Sequence, residues 1–230
     1  MFSREEGITL LSGPGNMILA DQEPVSFPMQ NADQTFDAGA LPPLPISGDL
    51  VRNGSFRDGL NHWFPHRDRV TADDVHTFSL ADGILRIKAS EGNHREGVMQ
   101  ELRADVTDAE SVVLTADVQV REQTQAGLGP DGRNAPIAVA VGYSEVPGRK
   151  ETGNSICWKG FYILASDDPG KDSSGQLVQK GQWYRVTFDL MKLDPKPATI
   201  QFISLEGSGW SAREGWIRDV HLIKSKGGNE

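Results

Sequence analysis

Five aromatic side chains and three polar ones are the residues in this chain best placed to do chemistry, and that chemistry is recognition rather than bond cleavage. Trp63, Tyr143, Trp158, Tyr162 and Trp210 each offer a flat π face on which the axial C–H groups of a sugar ring can stack. Arg95, Glu96 and Gln100 offer donors and acceptors for the sugar hydroxyls. In the run 156–165, strand alternation sets Trp158, Gly160, Tyr162 and Leu164 on one side and Cys157, Lys159, Phe161 and Ile163 on the other. With Gly160 between them, Trp158 and Tyr162 would form a flat, open aromatic surface if their side meets solvent. Both sides are apolar, so alternation leaves core and cleft open. Trp210 stands in Gly-Ser-Gly-Trp-Ser, a loop sequence that gives a tryptophan less reason to be core, and ranks first as an exposed platform.

Bond-breaking machinery is not legible. The chain holds no His-Glu-x-x-His, no Gly-x-Ser-x-Gly, no phosphate loop and no dinucleotide fingerprint. His62 and His66 are four apart, but Pro65 between them opposes the helical geometry that would align two imidazoles on a metal. The pairs Asp73-Asp74 and Asp167-Asp168 fall in turn-rich stretches, where solvated charge is the usual role. Cys157 is the single cysteine, so an intrachain disulfide and a cysteine metal cluster are excluded. Its apolar surroundings predict a buried thiol.

Composition narrows the class further. A formal net charge of -9 argues against an electrostatic nucleic-acid binder. No apolar run reaches the roughly 20 residues that span a bilayer, so membrane insertion by this chain is not expected. Met-Phe-Ser-Arg-Glu-Glu-Gly lacks the apolar segment of a signal peptide.

The elements that must position these residues read as strands. Alternating or β-branched runs occur at 84–89, 98–102, 111–121, 137–143, 156–165, 183–190, 199–205 and 216–223, and 107–110 reads as a helical turn. Along 137–143 the bulky Ile137, Val139, Val141 and Tyr143 alternate with Ala138, Ala140 and Gly142. With 25 Gly and 13 Pro supplying turns, the expected class is all-β, an antiparallel sandwich. Two apolar runs around Ser-Gly-Pro-Gly-Asn predict a short N-terminal β-hairpin within 1–30. Residues 31–47 carry Leu-Pro-Pro-Leu-Pro and read as a stiff linker. The main domain is then 48–224, with a polar tail over 225–230.

Two signals carry a family resemblance. Residues 49–63 place an apolar pair, an Asn53-Gly54-Ser55-Phe56 turn, an Asp58-Gly59 turn and then Trp63; residues 215–223 read Gly-Trp-Ile-Arg-Asp-Val-His-Leu-Ile. Together they resemble the opening and closing strands of a carbohydrate-binding-module-like, galactose-binding-like jelly roll. Gly181-Gln182-Trp183 before 184–190 resembles the penultimate segment of that family, with Trp183 reading as a core or edge anchor. The resemblance implies a jelly-roll β-sandwich whose first and last strands are adjacent, a polysaccharide or glycan partner, flanking domains and an extracytoplasmic setting. It also implies a structural Ca²⁺ near Asp219, with Asp58 as the substitute ligand, because Arg57 stands where the family has an acidic residue. The hairpin over 1–30 resembles the tail of a FecR-type β domain. Gln100-Glu101-Leu102-Arg103 resembles one strand of jelly-roll alginate lyases, but that family's Gln-x-His and Tyr-x-Lys-x-Gly strands are missing.

Three functions are therefore in play. A non-catalytic glycan-binding module comes first, an extracytoplasmic scaffold or protein-interaction sandwich second, and a polysaccharide lyase or hydrolase last.

Overall fold

The computed structural model describes residues 48–67, 78–89, 94–124, 135–145, 156–166, 175–209 and 212–226. The hairpin, its FecR-type resemblance and the proline linker over 1–47 lie outside the described residues, as do Trp210 and the tail from 227. Eleven strands are described: β1 (Phe64–Arg67), β2 (Phe78–Ala81), β3 (Ile84–Ala89), β4 (His94–Asp105), β5 (Ala109–Gln123), β6 (Ala135–Ser144), β7 (Cys157–Ala165), β8 (Gln176–Val178), β9 (Tyr184–Asp189), β10 (Thr199–Gly209) and β11 (Arg213–Lys226).

The strands form two sheets, one ordered β1-β4-β10-β6-β7-β8 and the other β2-β3-β11-β5-β9. All neighbours run antiparallel except β7 and β8, which are parallel. The chain is an all-β, antiparallel-rich jelly-roll sandwich, as its sequence predicts.

Side-chain alternation explains why the two sheets stack. Val98, Val139, Val141, Ile203 and Leu205 of the first sheet share one core with Leu85, Ile87, Val118 and Ile217 of the second. Each such side chain contributes about 1.5–3 kcal/mol when fully buried. The bulky positions of β6 point into this core, and Ala138, Ala140 and Gly142 are left on the outer face of the six-stranded sheet.

The expected adjacency of the two ends is present. Asp49 bridges Ile223, Leu50 N donates to Leu222 O at 2.8 Å, and Val220 N donates to Gly54 O at 3.0 Å. Asp49 Oδ1 accepts from Val51 N and Leu222 N, and its Oδ2 lies 2.7 Å from His221 Nδ1. In the Asn-Gly turn, Asn53 takes the left-handed backbone (φ 52) and its amide donates to Gly59 O and Asn61 O. Gly54 is there for space instead, since a Cβ would sit 1.8 Å from Val220 O.

Three short strands escape the sequence reading. β1 contains Pro65 and survives because it is an edge strand, where a missing amide donor is tolerated. β2 and β8 have four and three residues, too few for a period. The helical turn expected at 107–110 is instead a tight turn whose second half already belongs to β5, closed by Asp105 Oδ1 accepting from Thr107 N at 2.9 Å.

Candidate functional site on the outer face of the six-stranded sheet

Cross-strand register assembles this face in rows. His66, Gly97, Glu206, Ala138 and Tyr162 lie in one row across β1, β4, β10, β6 and β7. Next to it run Phe64, Met99, Ser204, Ala140 and Gly160, and beyond that Glu101, Phe202, Gly142 and Trp158. On the other side Arg95 pairs with Ser208. The strip between Phe64 on one flank and Trp158 and Tyr162 on the other, where the small Gly97, Ser204, Ala138 and Ala140 lie beside Glu206, is the candidate trough, and Phe202 fills its end over Gly142. Phe64 is the exposed rim on the β1 side, at 40%.

Trp158 and Tyr162 share this outer face, as alternation predicts. The flat open surface does not form. Gly160 lets the two rings converge, because a Cβ there would meet Trp158 at 2.5 Å and Tyr162 at 3.1 Å. The rings are tilted by 57° with centroids 6.5 Å apart, and Tyr162 is buried. Arg95 lies over the half-buried Trp158 ring, its Cζ 4.6 Å from the centroid, and so caps the aromatic.

The floor carries a group the sequence reading missed. Glu206 is 1% exposed, and its Oε2 lies 3.6 Å from His66 Nε2. Glu206 Oε2, His66 Nδ1 and Ser208 Oγ are buried without a hydrogen-bond partner. The available signal was the alternation along β10, where Ser204, Glu206 and Ser208 interleave with Ile203 and Leu205. A carboxylate facing outward from the centre of an apolar strand, next to two hydroxyls, is the pattern of a lined floor.

Four expected ligand contacts belong elsewhere. Trp63 is core: it is 3% exposed, packs on Phe56 at 5.4 Å and donates from Nε1 to Asn53 O at 3.2 Å. Gln100 faces inward and clamps the opening segment, accepting from Arg52 N and donating to Arg52 O, both at 2.8 Å. Glu96 shares the inward side of β4 with Val98 and is buried. Tyr143 is buried on the inner face of β6.

Burial pushes the Tyr143 phenol up to about 12, and nearby Cys157, Asp194 and Glu145 add to the shift. The fold therefore favours the neutral phenol. That stability is complete below pH 10 and is lost as the pH climbs from about 10 toward about 12, a contribution of about 2–3 kcal/mol. Denaturant titrations from pH 9 to 12 should show a falling stability that Tyr143→Phe flattens; identical alkaline limbs would refute it.

The calcium that the resemblance implies would rest on two carboxylates, Asp219 and Asp58. Asp219 is 44% exposed with Arg218 Nε 3.9 Å away, and Asp58 is exposed in its turn. Among the described residues no group of three or more His, Cys, Asp or Glu gathers where it could hold a metal. Among them, too, no helix is long and apolar enough to cross a membrane.

No family model matches the chain. No curated protein matches it either. Solved structures do. The family 11 carbohydrate-binding module of the cellulosomal cellulase Lic26A-Cel5E of Clostridium thermocellum is similar over 76% of this chain and 94% of its own, with TM-score 0.44 and 9% identity. A family 16 carbohydrate-binding module is similar over 76% and 99%, with TM-score 0.41 and 13% identity. The enzymatically active domain of bacteriophage CBA120 tailspike protein 4 is similar over 77% of this chain but 22% of its own, with TM-score 0.46 and 11% identity.

Proposed function

We propose that the chain is a non-catalytic glycan-binding module and that a polysaccharide lies in the trough of the six-stranded sheet. The observation that carries this reading is the set of buried polar atoms on the floor that lack a hydrogen-bond partner: Glu206 Oε2, His66 Nδ1 and Ser208 Oγ. Buried polar atoms are ordinarily paired, and leaving one unpaired costs about 1–3 kcal/mol. Sugar hydroxyls supply both the donors a carboxylate wants and the acceptors a ring N–H wants. Trp158 and Tyr162 form the wall beside that floor, and Trp158 becomes a stacking surface once Arg95 swings off it. Arg95 then serves the ligand as a hydrogen-bond donor. Polysaccharide recognition of this kind fits an extracytoplasmic setting, periplasmic or secreted, with the module attached to flanking domains.

Affinity electrophoresis through gels holding neutral polysaccharides tests the reading. Mixed-linkage β-1,3-1,4-glucan is a first probe, being the sugar bound in the similar family 11 module. Wild-type retardation is expected, and Trp158→Ala should weaken it by about tenfold, the worth of one aromatic stack near 1.5 kcal/mol. Glu206→Gln, which keeps the shape and removes the charge, should weaken it as well. A second reading has its own observation: Arg95 already occupies Trp158, and Tyr162 is buried, as in an interaction scaffold with a filled face. Absence of retardation in every glycan gel, by a folded wild-type protein, would put that scaffold first.

A further inference from the structure

The outer face of the five-stranded sheet, on the opposite side of the sandwich, carries a second constellation. Register sets Arg86, Trp216 and Gln119 in one row and Arg218, Asp117 and Arg185 in the next. Just before β9, the Trp183 ring lies 6.4 Å from Trp216, tilted by 48°. Arg86 on β3 and Arg121 on β5 both reach the Trp216 ring, with Cζ 4.9 Å and 4.6 Å from its centroid. Arg218 lies 4.2 Å from the centroid of Trp183. Two indoles and three guanidiniums interleave.

The charges on this face do not balance. Asp117 takes Arg185 at 2.7 Å and Arg218 at 3.6 Å, while Glu214 takes Lys88 at 3.2 Å and the Trp216 indole N–H at 2.8 Å. Glu122 stands opposite Glu214. Among the described residues five cations thus meet four carboxylates, Asp219 also lying 3.9 Å from Arg218, in a chain whose net charge is -9. Arg86 and Arg121 have no carboxylate within salt-bridge distance among the described residues; Arg121 adds only Gln119 Oε1 at 3.4 Å. A single arginine on a surface tryptophan is explained by its cation–π attraction, about 0.5–1 kcal/mol. Two on one ring, without a counter-ion, repel each other. Each also keeps the edge of its planar fork for an anion, in the geometry that suits carboxylate or sulfate.

The geometry points to this face as a binding site for an anionic polysaccharide carrying carboxylates or sulfates. Neighbouring strands are about 4.8 Å apart, so the cations of β3, β11, β5 and β9 form a track across the sheet. A linear polymer with repeating charges meets several of them at once, where a single small anion meets one. The site is independent of the trough and of its proposed ligand. Because the chain as a whole is acidic, simple ion exchange opposes such binding, and only a local cationic face produces it.

Gel retardation at low salt tests this, with dextran sulfate and polygalacturonate as probes and neutral dextran and poly-glutamate as controls. Wild type should be retarded by the two anionic polysaccharides, less so as salt is raised, and not by dextran. Arg86→Gln with Arg121→Gln should weaken retention by about tenfold, two charge-assisted contacts being removed. Where Arg86→Gln unsettles the sheet, the exposed Arg121→Gln alone should still give roughly threefold. Failure to bind either anionic polysaccharide overturns the proposal, and so does undiminished binding by folded Arg121→Gln. Poly-glutamate bound as tightly as dextran sulfate assigns the face to acidic protein partners and overturns the polysaccharide class.

Discussion

Gly97→Ala is expected to lower the stability of the sandwich by about 3 kcal/mol or more and to remove the proposed trough binding with it. A Cβ on Gly97 would lie 1.9 Å from Leu205 O and 2.7 Å from Glu206 Cα. Both are backbone atoms of the hydrogen-bonded neighbour β10, so no rotamer change relieves them. The strands would have to part. Gly97 pairs with both His66 and Glu206, so the same movement separates the imidazole from the carboxylate. Gly59→Ala is the control. Its φ is +65° and nothing lies within 4 Å of the added methyl, so only the left-handed backbone costs, about 1 kcal/mol. Urea unfolding of the two variants should separate them clearly. A Gly97→Ala protein that unfolds at the wild-type midpoint and still binds would show that β4 and β10 are not held at this separation.

Trp63→Ala should cost about 3–5 kcal/mol, the range for emptying a large aromatic site in a core. The loss has two parts. Packing against Phe56 disappears, and so does the indole hydrogen bond to Asn53 O. That bond holds the turn whose Gly54 carbonyl receives Val220 N, so the damage reaches the seam between the opening segment and β11. Trp63→Phe restores the ring and omits the bond, and should recover all but about 1 kcal/mol. Thermal and urea unfolding check both, and a Trp63→Ala protein within about 0.5 kcal/mol of wild type, the scale of an ordinary surface change, would contradict the core assignment.

The sandwich was legible because its strands are long enough to show a period of two. On β6 the bulky and small positions separate cleanly, and the structure buries the bulky ones between the sheets. The seam of the two ends was legible for a different reason, the resemblance of residues 49–63 and 215–223 to the opening and closing strands of a jelly roll, which implies that the two lie side by side. The site was harder to read. Trp63 and Tyr143 look like ligand platforms in sequence because an aromatic at a strand end serves core and cleft equally well; only the direction of the strand distinguishes them. Gln100 has the chemistry of a ligand contact and instead satisfies the backbone of Arg52, a partner 48 residues away that no local pattern announces. His66, next to Pro65, does not suit a helical metal pair with His62, and it meets Glu206 through a strand register instead. Such pairings arise from topology, and the residues that make them are 140 positions apart.

The seam at Asp49 also decides how the sandwich answers to tension. Gly48 O accepts from Lys224 N at 3.0 Å, and Asp49 bridges Ile223, so the chain comes into the sandwich and leaves it side by side on β11. Pulling residues 48 and 226 apart loads these bonds one after another, as in opening a zipper, rather than together as in sliding two strapped plates. The opening segment peels first. With it go the Asp49 carboxylate from His221 and the Gln100 clamp from Arg52, while β11, which takes the load at the other end, stays paired along β5. Stretched between two anchors, the domain would lengthen by this short peel at low force long before its core opened, a built-in slack at the point of attachment.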